Sequence, residues 1–251
     1  MPIPSTKDLL SCACHFGHRK EKWNPKMKPV LFGVRKGIHI FDLEKTHEAL
    51  IKTCSELKSM QKSGKTILFV STKLQSIQYV ERVSSALRQP VVTKKWVPGL
   101  LTNWATIKNR IRYYLDLKRS FQTGEVEKYT KKEQVGLRKE LTKLDAGFSG
   151  VSGMKGLPDA LFVVDAVRDR VAVMEAKKIG LPVYGICDSN ADPDDFKIFI
   201  QANDDAVKSI ELILQTVENE LTEAKTEEKN QETHSTSAGQ AKNQVTEIAK
   251  S

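Results

Sequence analysis

The sequence predicts an α/β protein built on a mainly parallel, doubly wound sheet, interrupted by two helices that form an antiparallel hairpin. Three observations predict it. Several short apolar runs are continuous rather than alternating, as in strands covered on both faces. Helical patterns separate them, and strand–helix alternation implies parallel crossovers. One long segment, Thr102 to Gly147, carries no strand signal at all.

The elements follow in chain order. Cys14–Pro29, "CHFGHRKEKWNPKMKP", holds Pro25 and Pro29 and is predicted to be an irregular basic arm leading into the first strand. Predicted strands are Ile38–Asp42, Thr66–Ser71, the pair near Val91, Ala160–Asp165 and Pro182–Cys187, with a weaker one at Ile198–Gln201. Predicted helices cover Leu43–Lys62 after an Asp42 N-cap, Leu74–Arg88, Arg168–Ile179 before the stop Gly180-Leu181-Pro182, and Asp204–Thr222 with Asp204 as N-cap. "ATIKNRIRYYLDLKRSF" and "KKEQVGLRKELTKLDAGF" are the hairpin helices, joined by "QTGEVEKYT". Their polar composition suits an arm that projects from the body and finds its partner elsewhere. The predicted division is an α/β body over 1–101 and 148–222 with a basic arm at 12–37, a hairpin at 102–147 and a disordered polar tail at 223–251.

Composition narrows the function classes. The chain has 251 residues, 39% of them hydrophobic, enough for a sizeable core. Its net charge of +9 favours a polyanionic partner. Cys12, Cys14, Cys54 and Cys187 form no disulfide framework. The N-terminus shows no secretory pattern, and no apolar run approaches the ~20 residues of a membrane span. The expectation is a soluble protein of a reducing compartment, without a membrane partner.

Enzyme signatures are weak. Ser63-Gly64-Lys65-Thr66 resembles the end of a phosphate loop, but Ser59 stands where that loop needs Gly, and the segment leads into a strand. A helix-to-strand turn explains it better. The other nucleotide and hydrolase motifs do not occur. A nucleotide-binding α/β enzyme is therefore the alternative reading, and no small-molecule substrate is expected.

Positive charge is concentrated. Arg19–Lys45 holds eight basic residues against three acidic, and Lys94–Arg119 holds seven against Asp116 alone. Trp23 lies in the first window, Trp96 and Trp104 in the second. Cations neutralise phosphates and aromatic rings stack on unpaired bases. For Trp96 and Trp104, core packing is an equal alternative. The RNA-facing candidates are Arg19, Lys20, Lys22, Trp23, Asn24, Lys26 and Lys28, then Lys94, Lys95, Asn103, Lys108, Arg110 and Arg112.

Cys12-Ala13-Cys14-His15-x-x-His18 offers metal ligands, but zinc sites of that kind need a second pair, which the sequence lacks. A subtler option is a contact of His18 with Asp188 and Asp205, as ion pairs or as a weak divalent site. Asp188 ends a predicted strand where such folds place their sites, and Asp192-Pro193 marks a turn.

Several blocks in order resemble a known family: "HFGHRKEKWNPKMKPVLFGVRKGIHIFDLEKT", "ILFVSTKLQ", "WVPGLLTNWATIKNRI", "LPDALFVVDAVRDRVAVMEAKKIGLPVYGICDSNADPD" and "NDDAVKSIELI". Over roughly Leu9 to Leu221 the chain resembles the S-two family of small ribosomal subunit proteins. The resemblance implies a flavodoxin-like, three-layer α/β body with an inserted helical hairpin. It implies a structural, non-catalytic protein that binds small-subunit ribosomal RNA and contacts neighbouring proteins, including the mRNA-handling S-one protein. It implies a ribosomal location in the cytoplasm, with an organellar ribosome left open, and no cofactor beyond a weakly held divalent metal such as zinc.

Overall fold

The computed structural model describes residues 3–223. A capping box between Ser5 and Asp8 starts a short helix, α1 (Thr6–Ser11), which sequence periodicity did not predict. A small antiparallel sheet follows: β1 (Phe16–Arg19), β2 (Leu31–Arg35) and β3 (Ile38–Phe41), in the order β1-β3-β2. Lys36 and Gly37, both at positive φ, make the two-residue turn that favours such a hairpin. This corrects two expectations. The Ile38–Asp42 run is not part of the parallel sheet, and the predicted irregular arm begins in a strand. Between β1 and β2 the chain makes two 3-10 turns, Lys20–Lys22 and Pro25–Val30, because Pro25 and Pro29 interrupt pairing.

The long helix α2 (Leu43–Lys62) begins where Asp42 accepts the Glu44 amide, as its sequence predicts. Then come β4 (Ile67–Val70), α3 (Ile77–Leu87), β5 (Val91–Val92), α4 (Trp104–Thr123), α5 (Lys131–Phe148), β6 (Ala160–Val163), α6 (Arg170–Lys178), β7 (Val183–Cys187) and β8 (Ile198–Gln201). A last helix, α7, is described over 207–223. Strands β4 to β8 form one parallel sheet in the order β5-β4-β6-β7-β8, so the weak Ile198–Gln201 run is its fifth strand. The order reverses between β4 and β6, the flavodoxin-like arrangement.

Alternation along the strands produces three layers. Ile67, Phe69, Phe162, Tyr184 and Ile186 face a core with Leu50 and Leu57 of α2, Val80 and Val83 of α3, and Ile210 and Leu214 of α7. Leu68, Val70, Leu161, Val163 and Val183 face the opposite core, shared with Ala172 and Val173 of α6, Ile107 and Ile111 of α4, and Phe148 of α5. Met27 and Phe41 of the N-terminal segment join this second core. Gly185 in β7 allows the close fit to β6, since a Cβ there would meet the Val163 carbonyl.

Helices α4 and α5 run antiparallel. Arg110 approaches Glu140, Tyr114 donates to Asp145, and Arg138 lies over the Phe121 ring. Their buried side chains gather at the root, at Ile107, Ile111, Tyr114, Leu117, Leu144 and Phe148, in the same core as the sheet. The root's apolar partner is therefore the protein's own body rather than an external one. Lys131–Lys143 carries no buried residue, whereas Val126 in the connection between the two helices is buried. The tail expected at 223–251 lies outside the described residues after Glu223.

One buried carboxylate fixes the route from β5 to α4. Glu175 of α6 accepts Trp96 Nε1 at 3.0 Å, the Gly99 amide at 2.7 Å, the Leu101 amide at 3.1 Å, and the Thr102 amide and hydroxyl at 3.2 Å. Trp96 thereby resolves as core, and Trp104 packs partly buried against the same cluster. Burial pushes the Glu175 carboxyl up, but these donors outweigh it and the net shift is downward. A carboxylate with a depressed folded pKa contributes stability above the unfolded value of about 4.3, and the contribution is lost as pH falls through the folded value. Glu175→Ala should cost about 3 kcal/mol or more in denaturant titrations at neutral pH, because several buried donors lose their acceptor. The deficit of Glu175→Gln relative to the parent should shrink as pH falls below about 4.

Candidate nucleic-acid interface and its carboxylate anchor

The basic segment after β1 is a strap held at defined points. Lys20 donates its amide to Gly37 at 2.9 Å, which ties the first 3-10 turn to the β2–β3 hairpin. Trp23 stacks on His39 with ring centroids 4.7 Å apart. The Asn24 amide donates to the Ser189 carbonyl at 2.7 Å, and its side chain accepts the Lys26 amide at 3.0 Å. Lys26 Nζ sits 2.9 Å from Asp192 and 2.6 Å from Asp194, and those carboxylates raise its pKa. The predicted Asp192 turn exists, with Asp192 capping Pro193–Asp195. Asn24 and Lys26 thus anchor the strap to the loop after β7.

The other strap cations point outward. Arg19, Lys20, Lys22 and Lys28 are exposed, and none makes an ion pair among the described residues. Arg35 and Lys36, at the tip of the β2–β3 hairpin, are also exposed and unpaired there. Both were counted in the charge of the first window but not among the predicted contacts. The Arg-Lys-Gly turn between two apolar runs is the signal that could have found them.

The second window divides in the same way. Lys94 pairs with Asp145 at 3.1 Å, and Arg110 lies 3.9 Å from Glu140 and over the Tyr113 ring. Lys95, Lys108 and Arg112 are exposed without an ion pair among the described residues. Asn103 stands at the N-cap of α4 without a side-chain capping bond. Met27 of the strap and Ile107 of α4 share one core, so the strap and α4 lie on the same side of the main sheet.

Beneath the strap lies a buried ionic cluster. His18 Nδ1 is 2.9 Å from Asp188 Oδ1, and His18 Nε2 is 3.8 Å from Asp205 and 3.2 Å from the Asn190 amide nitrogen. His18 thus lies within reach of Asp188 and Asp205, the residues it was expected to meet. The His18 amide donates to Ser189 Oγ at 2.8 Å, and Gly17 has no Cβ where one would sit 2.8 Å from that oxygen. Asp188 raises the His18 pKa against the opposing effect of burial. Lys73, after β4, places Nζ 3.1 Å from Asp165, 2.7 Å from Asp204 and 2.6 Å from Asp205. Burial alone would lower the Lys73 pKa, but these carboxylates raise it. Burial, with Asp165 and Asp188 near, pushes Asp204 up to about 7.

Asp204 was expected to cap the last helix. Instead Asn203 accepts the amides of Asp205 and Ala206, which frees Asp204 for Lys73. One ligand atom each from His18, Asp188 and Asp204 lie within 4.8 Å of one another. One imidazole nitrogen and two carboxylates fit a divalent cation of the zinc type, with Asp204 in place of the predicted Asp205. Cys14 stays apart from this set: burial pushes its thiol up to about 11, which disfavours a thiolate ligand.

A family model described as ribosomal protein S2 matches residues 9–224. The chain belongs to the ribosomal protein S2 family. It is 44% identical over 219 residues to the small ribosomal subunit protein uS2 of a Nitratiruptor species, covering 87% of this chain and 82% of that protein. The protein of the same name from Coprothermobacter proteolyticus is 43% identical over 225 residues, covering 90% and 84%. That of Helicobacter hepaticus is 40% identical over 226 residues, covering 90% and 86%. Among the described residues no helix is long and apolar enough to cross a membrane.

In this S2-family chain the ionic cluster gives a stability test. Lys73 is only 5% exposed and faces three carboxylates. Lys73→Met should destabilise the protein by about 3–5 kcal/mol, because uncompensated buried charge remains. Adding Asp204→Asn should restore part of that loss. Thermal or urea unfolding of the single and double variants measures both.

Proposed function

We propose that this protein is a structural, non-catalytic component of the small ribosomal subunit that binds ribosomal RNA through the outward cations of the strap and of α4. The observation that carries the reading is the division of the basic windows. Lys26 and Lys94 are neutralised by carboxylates, whereas Arg19, Lys20, Lys22, Lys28, Arg35, Lys36, Lys95, Lys108 and Arg112 have no ion pair among the described residues. Cations left unpaired on a rigid surface are available to phosphates. Trp23, already stacked on His39, is held where its ring can meet a base or sugar. Membership of the S2 family supports a ribosomal role over nucleotide chemistry. The proposed location is the ribosome, in the cytoplasm or an organelle.

A neighbouring protein also fits this reading. Phe32 is 82% exposed beside an open groove of about 470 Å³, where Leu10, Ile40 and Leu43 form an apolar floor and Lys7, Asp42 and Glu44 a charged rim. An exposed aromatic at an apolar groove marks a protein contact rather than an RNA one. We assign the mRNA-handling S-one protein to it. The family resemblance supports that partner.

The divalent metal is a second reading, supported by the convergence of His18, Asp188 and Asp204. The chain's own residues would hold the ion, which would lock β1 to the ends of β7 and β8.

Four measurements test these statements. Lys20→Ala/Lys22→Ala should reduce the salt slope of small-subunit RNA binding by about two, while Lys52→Ala on α2 should leave it unchanged. A protein absent from the small subunit after sedimentation at low salt would defeat the ribosomal reading. Phe32→Ala should lower S-one retention on purified subunits with RNA binding intact. His18→Ala should abolish retention of one equivalent of zinc, read by native mass spectrometry; a parent protein that retains none would remove the metal reading.

A further inference from the structure

The main sheet reverses its order between β4 and β6, and in open parallel sheets the crevice outside the carboxyl ends at that point is where ligands bind. Here the crevice is a cavity of about 290 Å³ lined by Thr72, Lys95, Trp96, Arg168, Asp169 and Val171, with Lys94 and Ala172 at its margin. Its one carboxylate is already engaged. Asp169 accepts the Thr72 amide at 3.0 Å and the Thr72 hydroxyl at 2.8 Å.

Arg168 is held in place at the mouth. Its amide donates to Asp165 at 2.9 Å, and its Nε donates to Thr72 Oγ1 at 3.2 Å. The two terminal guanidinium nitrogens have no partner among the described residues. Lys95 is exposed on the same cavity and makes no ion pair there, whereas its neighbour Lys94 is tied to Asp145. A guanidinium oriented through Nε, on the same cavity as a free ammonium, matches the oxygens of a phosphate. The space is below the 300–1,000 Å³ typical of sites that enclose whole small molecules. A single phosphodiester needs less, and half-exposed Val171 supplies an apolar wall for the attached sugar.

We infer that this crevice seats one backbone phosphate of the ribosomal RNA, held by Arg168 and Lys95. The inference rests on the RNA-binding reading above and adds Arg168, which lies outside both basic windows. The fold's usual nucleotide position would then serve as a point of backbone attachment.

The test uses the full chain and purified small-subunit ribosomal RNA in filter binding over a salt series. Arg168→Gln and Lys95→Gln should each lower the salt slope by about one and weaken binding on the order of five- to tenfold at 0.1 M salt. Arg168→Lys, which keeps the charge, should keep the slope. Both positions are exposed, and circular dichroism checks that the variants fold. Parental slope and affinity in both Gln variants, with the parent binding normally, would overturn the inference. A parent that does not bind RNA at all fails earlier, at the functional reading. Equilibrium dialysis with labelled ATP supplies the other arm: saturable binding lost in Arg168→Gln would assign the crevice to a free nucleotide and overturn the RNA assignment.

Discussion

The ammonium of Lys73 is the contact on which the rest of the C-terminal sheet edge depends. Lys73 follows β4, Asp165 follows β6, and Asp204 and Asp205 follow β8. Asp188 follows β7 and adds His18 of β1 through its Oδ1. Four parallel strands and the small antiparallel sheet therefore end on one ionic cluster. Carboxylates this close could not stay ionised together in a buried place without a cation among them. The strand ends are consequently fixed relative to one another by charge balance as well as by apolar packing.

That anchoring shapes the proposed binding surface. The loop after β7 holds the strap twice, through the Ser189 carbonyl to the Asn24 amide and through Asp192 and Asp194 to Lys26. With Asn24 and Lys26 committed inward, the outward cations sit on a backbone that is already ordered. Binding then requires little further ordering of the chain, so more of the phosphate attraction appears as affinity. A free basic arm with the same composition would lose part of that gain to conformational entropy. Asp192 and Asp194 lie beside the outward cations of the strap, and Lys26 offsets part of their charge locally.

Much of the fold was legible because its elements carry local signals. The bounds of α2 and α5 coincide with their polar and apolar periodicity, and Asp42 and Thr130 cap them through side chains that short-range rules identify. Apart from α1, whose Ser5–Asp8 capping box is a local signal that was missed, the failures are non-local. Ile38–Phe41 reads as a buried strand, but nothing in the run tells whether its partners are parallel or antiparallel. Asp204 looks like a helix cap until Lys73, 131 residues away, claims it. The charge windows located the basic surface, but sequence could not separate Lys22 from Lys26, because the difference is set by Asp192 and Asp194 across the fold. His18 with Asp188 was legible because Asp188 ended a predicted strand where such folds place their sites and His18 stood in a run of candidate metal ligands.

The same cluster explains how a nucleotide-type topology can carry a ribosomal role. A mononucleotide site in this fold needs open space over the strand ends at the order reversal, with backbone amides free to meet phosphates. In this chain the Thr72 amide is donated to Asp169 and the Arg168 amide to Asp165, and Lys73 fills the adjoining space with its own carboxylates. The strand ends satisfy each other, leaving only side-chain cations at the rim. Such a rim suits a polyanion that lies across the surface, because each contact is shallow and the affinity comes from their number. The features that close the crevice to a buried small ligand thus stabilise the platform that the basic strap and α4 require.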